Sequence, residues 1–308
     1  MAVQPTFKLF AIARVNFLTL TVACLLLALA LSYSLLGGVK GEIVGWVVTA
    51  GLLAHVSVNA FNEYFDFRSG LDFKTRKTPF SGGSGTLVQH PHIANAALVL
   101  ACVSLLAVIA SGLWIVQQTT PALLWLGIPG VLLIYSYTQY INRYPLLCLI
   151  APGLGFGLFL TFGASWALAN EYPALPANGA WYGIVSAAAI VMLLVNNLLL
   201  LNQFPDVEAD LSVGRKHFPI AIGRTSSASI FAVQLLLSYL VLVIAVVANW
   251  LPFSALLALL SFVLVPRLLQ GVRQHANNIP QLIPLLGLNV AVIHLFILLL
   301  ALGIWFNW

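Results

Sequence analysis

The stretch NEYFDFRSGLD, residues 62–72, closes an apolar run that ends GLLAHVSVNAF. It places Asn62, Glu63, Asp66, Arg68 and Asp72 at the end of a membrane-length segment. An Asp costs roughly 2.5–3.5 kcal/mol at the centre of a membrane helix and less near its end, so the cluster needs a reason. A second stretch, NQFPDVEADLSVGRKH (residues 202–217), repeats the arrangement 140 positions later.

Around these clusters the chain is apolar. Hydrophobic residues make up 61% of it and charged residues 7%, where a soluble domain carries roughly 25% charged residues. Its mean hydropathy is +1.01. The 308 residues leave no room for a sizeable extramembrane domain. The sequence therefore predicts an all-α fold, a polytopic membrane helical bundle, as a single domain over 1–308.

A helix needs about 20 apolar residues to cross a hydrocarbon core of about 30 Å. Nine spans meet that length: about 16–37, 43–65, 93–116, 121–140, 145–168, 181–204, 228–249, 252–268 and 282–306. The first follows Lys8 and Arg14, as a signal peptide would. Its apolar run is long for an h-region and more spans follow, so it is read as an uncleaved helix.

Charge gives the sidedness. With the N-terminus in the cytosol, the inner segments hold Lys8, Arg14, Arg68, Lys74, Arg76, Lys77, Arg143, Arg215, Lys216, Arg224, Arg267 and Arg273, and the outer segments hold only Lys40. That is the bias of the positive-inside rule, and a missed span would scramble it. A basic chain of this kind needs no nucleic-acid partner; attraction to anionic membrane lipid accounts for its charge. The expected location is a multi-pass protein of a bacterial inner membrane. Cys24, Cys102 and Cys148 fall in or beside apolar spans without metal-like spacing and read as small buried hydrophobes.

Two inner connections, about 66–92 and 205–227, are long and polar, and loops of that length in a compact bundle are usually functional or disordered. Apolar anchors such as Phe73, Phe80 and Phe218 argue against disorder. Both motifs contain Asn-x-x-x-Asp, Asn62 to Asp66 and Asn202 to Asp206, a faint internal repeat. The Gly-rich run PFSGGSGTL (79–87) reads equally as a phosphate cradle of backbone N–H groups or as a flexible turn.

Residues four apart share a helix face, with Cβ atoms about 5–6 Å apart. Asn62 and Asp66 therefore point together, as do Asn202, Asp206 and Asp210 if the helix runs one turn past the membrane through a kink at Pro205. Beyond Gly70 the chain can turn and return Asp72 to Asp66. Each cluster then offers about two carboxylates and an amide oxygen, hard ligands that suit Mg²⁺ completed by substrate phosphates. Two carboxylates 4 Å apart repel by about 4 kcal/mol at an effective dielectric of 20, so the grouping calls for a cation. Arg68, Lys74, Arg76, Lys77, Arg215 and Lys216 are suited to the oxygens of a bound diphosphate. The bland alternative is a pair of solvated acidic loops; Glu63 and Glu208 in particular read as solvated or salt-bridged.

The pattern N-x-x-x-D-x-x-x-x-x-D at one span end and D-x-x-x-D at another, in a nine-helix bundle, resembles the UbiA superfamily of intramembrane prenyltransferases. The longer first motif and DVEADLSVGRKHFPIAIGR (206–224) look like the branch that prenylates 1,4-dihydroxy-2-naphthoate in menaquinone synthesis. Glu63 stands where many members have Asp. The run YSYTQYINRYPLLCLIAPGLG (135–155) lacks the acidic residue expected of that branch.

The resemblance implies two Mg²⁺ ions held by Asn62, Asp66, Asp72, Asp206 and Asp210, a polyprenyl diphosphate donor, and an aromatic acceptor such as a quinone precursor. The four Asp would be catalytic, and the basic residues named above would bind diphosphate. Asn59, Tyr135, Tyr137, Tyr140 and Asn202 are candidates for the acceptor or cation pocket; the tyrosines read equally as interfacial belt residues. His55 reads as a packed, satisfied side chain, and Asn196–Asn197 as pocket lining or as cross-helix bonds. Two rivals remain: a terpene cyclase of the same superfamily, and a cation or solute transporter. Transporters place coupling sites near the midplane, whereas these acids sit at span ends.

Overall fold

The computed structural model describes residues 5–169 and 179–307. Among the described residues, nine helices are long and apolar enough to cross a membrane. They run Val15–Leu35, Gly41–Arg68, Pro91–Gln118, Pro121–Gln139, Pro145–Leu168, Ala180–Asn202, Arg224–Val247, Phe253–His275 and Ile279–Phe306. Each coincides with an expected span. The eighth runs seven residues further than its hydropathy suggests, because Val265–His275 is amphipathic: Val265, Leu268 and Val272 are buried while Arg267 and Arg273 face out.

The sixth span forms the centre of the bundle. Two thirds of its apolar window is buried (67%), against 11% for the fourth span, which lies at the rim. Trp181, Ile184, Val191, Leu194 and Leu201 of the sixth span join Phe231, Leu235, Phe296 and Leu300 in one core. Leu106, Leu132, Val247 and Val263 point outward, the surface a lipid-facing helix presents.

Lipid gives no hydrophobic drive between helices, so close approach depends on small residues. Gly153 and Gly157 of the fifth span lie one turn apart against the sixth. A Cβ at Gly153 would collide with Asn196 Oδ1, and one at Gly157 with the Ala188 carbonyl oxygen. The Gly153 N–H donates to Asn196 Oδ1 at 3.0 Å, and beyond it Leu154–Phe162 runs as a π-helix. Pro152, with no N–H to give, sits at the same place. A side chain inserted into the ladder and a proline are the recognised causes of such irregularity.

The bundle's two ends differ chemically. Trp46, Trp114, Trp125, Trp166, Trp181, Trp250 and Trp305 lie at the span ends opposite the acidic motifs, with stacked pairs Trp46–Trp114 and Tyr33–Trp305 at 4.7 Å. Lys40, at that same end, donates from Nζ to the Gln118 carbonyl at 2.8 Å, on the last turn of the third span. A cation is favoured there by the helix dipole. Cys24 and Cys148 are buried, but Cys102 is exposed on the outward side of the third span. The expectation that all three are packed inside the protein is corrected for Cys102, which is apolar enough to face lipid instead.

Candidate active site

The last two turns of the second span carry the first motif. Asn62 Nδ2 donates to Asp66 Oδ2 at 2.9 Å, one turn along the helix, and reaches Thr138 Oγ1 of the fourth span at 3.3 Å. The helix stops at Arg68, and Gly70 (φ +79°) supplies the left-handed turn that ends it. The turn Leu71–Phe73 then brings Asp72 back. A Cβ built on Gly83 would stand 3.2 Å from Asp72 Oδ1 and 3.3 Å from Glu63 Oε1, so both acids lie beneath one glycine.

The second motif departs from the expected continuous helix. The sixth span ends at Asn202. Pro205 offers no N–H, and the Phe204 and Asp206 N–H groups bond only three residues back, to Leu201 and Gln203. A short helix, Val207–Leu211, begins after Asp206, and its Asp210 N–H bonds to the Asp206 carbonyl at 2.8 Å. Asp206 and Asp210 thus share a turn with each other, while Asn202 stays behind on the span, half-buried. Gly214 (φ +79°) reverses the chain so that the Arg215 N–H meets the Asp210 carbonyl at 3.1 Å.

That reversal sets the central contact. Arg215 donates from Nη1 to Asp210 Oδ1 at 3.0 Å and from Nη2 to Asp66 Oδ1. One guanidinium joins the two motifs. His217, also buried, places Nε2 at 3.1 Å from Asp210 Oδ2. On the other flank, Arg14 donates from Nη2 to Asn62 Oδ1 and from Nε to Glu63 Oε1, both at 2.9 Å.

Five acids therefore share two buried or half-buried guanidinium groups. Asp72 Oδ2 and Asp206 Oδ1 are buried without a hydrogen-bond partner. Burial, with the charges of Asp66 and Glu63 beside it, pushes Asp72 up to about 7 against the pull of Arg14 and Arg215. Burial and then Asp210 push Asp206 up to about 7, while the Ser81 hydroxyl and Arg215 draw it down. The donor set is all oxygen, and its two orphaned carboxylate oxygens are the feature a hard cation would satisfy. Among the described residues, no three Asp, Glu, His or Cys side chains are grouped closely enough to hold a metal; the Arg215 guanidinium lies between Asp66 and Asp210.

The other expected groups divide. Of the six cations proposed for diphosphate, only Arg215 enters the buried cluster. Arg68, Lys74, Arg76, Lys77 and Lys216 are exposed around it, with Lys77 Nζ donating to the Ser84 carbonyl. Glu208 is exposed and pairs with Arg224 at 2.8 Å, outside the cluster. Glu63 is salt-bridged, but fully buried rather than solvated. Phe80 packs on Gly287 of the ninth span, whereas Phe73 is 60% exposed, its ring 5.6 Å from that of Phe67.

Tyr135 and Tyr137 do not share a face, since positions two apart on a helix differ by about 200°, and Tyr140 lies just past the helix end at Gln139. Tyr137 lies within electrostatic reach of Arg215, Asp210 and Asp66. Tyr135 is exposed with its ring edge-on to Phe61 at 5.6 Å, and Tyr140 is exposed. Asn59 donates to the His55 carbonyl one turn back. His55 is buried against Thr21 Oγ1 at 3.1 Å. Asn196 and Asn197 bond across helices, the latter to the Phe231 carbonyl. A cavity of about 180 Å³ opens beside the cluster, lined by Phe65, Asp66, Thr138, Asn142, Arg143 and Arg215 among others.

Arg14, Ser84, Thr138 and His217 are the site residues that sequence reasoning passed over. Arg14 was visible as a topogenic charge and His217 as part of GRKH, but their partners lie on other segments.

A largely buried cluster of acids and guanidinium groups, open to a cavity at one end of a membrane bundle, is equipment suited to an anionic substrate. Residues 17–281 match the UbiA prenyltransferase family, and the chain belongs to it. It is 26% identical over 234 residues to the 1,4-dihydroxy-2-naphthoate octaprenyltransferase of Bacillus subtilis (strain 168), covering 74% of this chain and 69% of that one. It is 23% identical over 269 residues to a 2-carboxy-1,4-naphthoquinone phytyltransferase of Synechocystis sp., covering 84% and 80%. These relatives bear out the likeness to the naphthoate-prenylating branch. The fold matches that of a UbiA homolog from Archaeoglobus fulgidus bound to DMAPP and Mg²⁺, with a TM-score of 0.59 at 10% identity over 95% of this chain and 99% of that one. The chain is a membrane-embedded prenyltransferase.

Proposed function

We propose that the protein moves a polyprenyl group from its diphosphate to an aromatic acceptor of the 1,4-dihydroxy-2-naphthoate kind, with Mg²⁺ at the acidic cluster. The observation that carries this reading is the Arg215 bridge between Asp66 and Asp210, which brings two distant acidic motifs to one buried point. The acceptor class is supported by the two relatives named for naphthalene-type acceptors. The metal is supported by the Mg²⁺-bound homolog and by the orphaned oxygens of Asp72 and Asp206.

Asn62, Asp66, Asp72, Asp206 and Asp210 would hold two Mg²⁺ ions, which when bound screen the negative charge of a diphosphate leaving group. The chain's own residues do the rest. Arg215 and Arg14 offset part of the cluster's charge, and Arg68, Lys74, Arg76, Lys77 and Lys216 ring it and draw in the anionic donor. As the allylic C–O bond breaks, its electron pair goes to the diphosphate, where preorganised guanidinium groups stabilise the growing charge. A carbon of the electron-rich ring then bonds to the allylic carbon, and the proton that it sheds passes to the released diphosphate. Tyr137, which lies nearest the acids among the aromatic candidates, presents a face or hydroxyl to that cation, beside the cavity lined by Thr138, Asn142 and Arg143. Asn59 and Asn202 are the polar groups left to orient the acceptor. Burial within the bundle keeps out water, which would quench the cation.

On the positive-inside bias the cluster faces the cytosol. The test is incubation of purified protein with one labelled polyprenyl diphosphate, a panel of phenolic acceptors, and Mg²⁺ or EDTA, read by mass spectrometry. A Mg²⁺-dependent C-prenylated naphthoate is expected. A cyclised hydrocarbon released without acceptor would replace this reading with that of a cyclase.

A further inference from the structure

The Gly-rich run 79–87 is a folded strap across the site. Gly82, Gly83 and Gly85 all have positive φ (83°, 68° and 70°). Thr78 Oγ1 accepts the Phe80 and Ser81 N–H groups at 3.2 and 2.9 Å, closing the first turn. Phe80 lies on Gly287 of the ninth span, and the Ser81 hydroxyl reaches Asp206 of the second motif. On the first motif, the strap is held by one side chain. Glu63, fully buried, accepts from the Ser84 N–H on Oε1 and from the Ser84 hydroxyl on Oε2, both at 2.6 Å, and from Arg14 Nε at 2.9 Å.

We propose that Glu63 is a positioning residue that fastens the 78–86 strap and Arg14 over Asn62, Asp66 and Asp72, so that the donor's diphosphate meets a preformed roof. The inference rests on the proposed prenyl-diphosphate reading but concerns a residue that reading leaves idle. Glu63 is one position past Asn62, so it leaves the helix on a different side from the Asn62–Asp66 face and points at the strap. Its length matters: an aspartate there would fall short by about 1.5 Å, one C–C bond. Its charge matters too, because it accepts from the Ser84 N–H and from the Arg14 guanidinium at once, and a hydrogen bond from a charged donor to a charged acceptor is stronger than one to a neutral amide. Gly83 is required within this roof. Its φ is left-handed, and a Cβ would press on Asp72 Oδ1, Glu63 Oε1 and Arg14 Nη2 at 3.2, 3.3 and 3.5 Å.

The experiment uses full-length protein in detergent, with Glu63→Gln, Glu63→Asp and the milder Ser84→Ala, which keeps the Ser84 N–H. Two quantities are read: amide hydrogen exchange over 79–86 without substrate, and KM for the prenyl diphosphate against kcat at saturating acceptor. Glu63→Gln and Glu63→Asp should each speed strap exchange and raise donor KM by about tenfold with kcat nearly kept, a loss of ground-state and transition-state binding alike. Ser84→Ala should move both in the same direction by less. Faster exchange with unchanged donor KM would overturn the proposal by making the clamp irrelevant to the donor. A raised KM with unchanged exchange would overturn it by making Glu63 a direct ligand. If the unaltered protein turns over no prenyl diphosphate, the enzyme reading fails, and exchange alone still decides whether Glu63 fastens the strap.

Discussion

Asp66 and Asp210, 144 positions apart in the chain, share one guanidinium, that of Arg215. Two carboxylates at such a distance in sequence have no local reason to meet, and each repels the other. Their convergence is held by the cation between them and by the Gly214 turn that delivers it.

This predicts opposite effects of Arg215→Gln on metal binding and on prenyl transfer. Breaking a buried ion pair by removing one partner costs about 3–5 kcal/mol, so the metal-free protein should melt lower. With the resident cation gone, binding of Mg²⁺ or Mn²⁺ alone should tighten, while prenyl transfer falls by about 10²-fold for the loss of a charge-stabilising donor. Metal titration by calorimetry or Mn²⁺ resonance reads the first effect. Weaker metal binding in the variant would mean that Arg215 does not occupy the cation's place.

Asp206→Asn should separate stability from function. Asp206 carries a buried oxygen without a partner, and an uncharged amide removes the need to bury a carboxylate. The variant should melt as high as the unaltered protein or higher without Mg²⁺, yet lose transfer. Asp66→Ala should lose transfer as well while still reaching the membrane. Near-normal turnover in both would remove the acids from the mechanism.

How much of this was legible in the sequence follows from which interactions are local. The nine spans were readable because hydropathy over about 20 residues is a property of consecutive positions. Asn62 and Asp66 were readable because four residues make one helical turn. The break after Asn202 was half-readable: Pro205 announced a kink, but whether the helix resumed in line depended on the Arg215 and His217 contacts made by the far side of the loop. Arg14 was hidden by its double identity, since a cation at the head of a first span already satisfies the sidedness rule. Its partner Glu63 lies 49 positions on. The tyrosines were separable only in three dimensions: Tyr135 and Tyr137 are close in sequence but leave the helix on opposite sides, and it is Tyr137 that lies within electrostatic reach of Asp66 and Asp210.

The glycine contact between the fifth and sixth spans predicts a graded pair of substitutions. Gly157→Ala would drive a Cβ into the Ala188 carbonyl, whereas at Gly155 the nearest atom is Leu133 Cδ2 at 4.0 Å. Overpacking typically costs about 1–3 kcal/mol, so Gly157→Ala should lower the melting temperature in detergent and Gly155→Ala should barely change it. Equal melting of the two would mean that these spans do not pack on their glycines.

The acids also predict how stability depends on pH. Asp72 and Asp206 are both pushed up to about 7 in the folded, metal-free protein, whereas an unfolded aspartate titrates near 3.9. The folded state therefore binds more protons than the unfolded state between those values. It is favoured most below about pH 4 and loses that advantage as pH rises through about 7. Thermal unfolding with EDTA should accordingly show a melting temperature that falls from pH 5 to pH 8. Mg²⁺ binds the ionised carboxylates and competes with protons, so its stabilisation should grow over the same range and flatten the profile. In Asp72→Asn with Asp206→Asn the EDTA profile should flatten without metal. A double variant that kept the full pH slope would place the titrating groups elsewhere, and a Mg²⁺ effect independent of pH would show that the ion does not meet these two carboxylates.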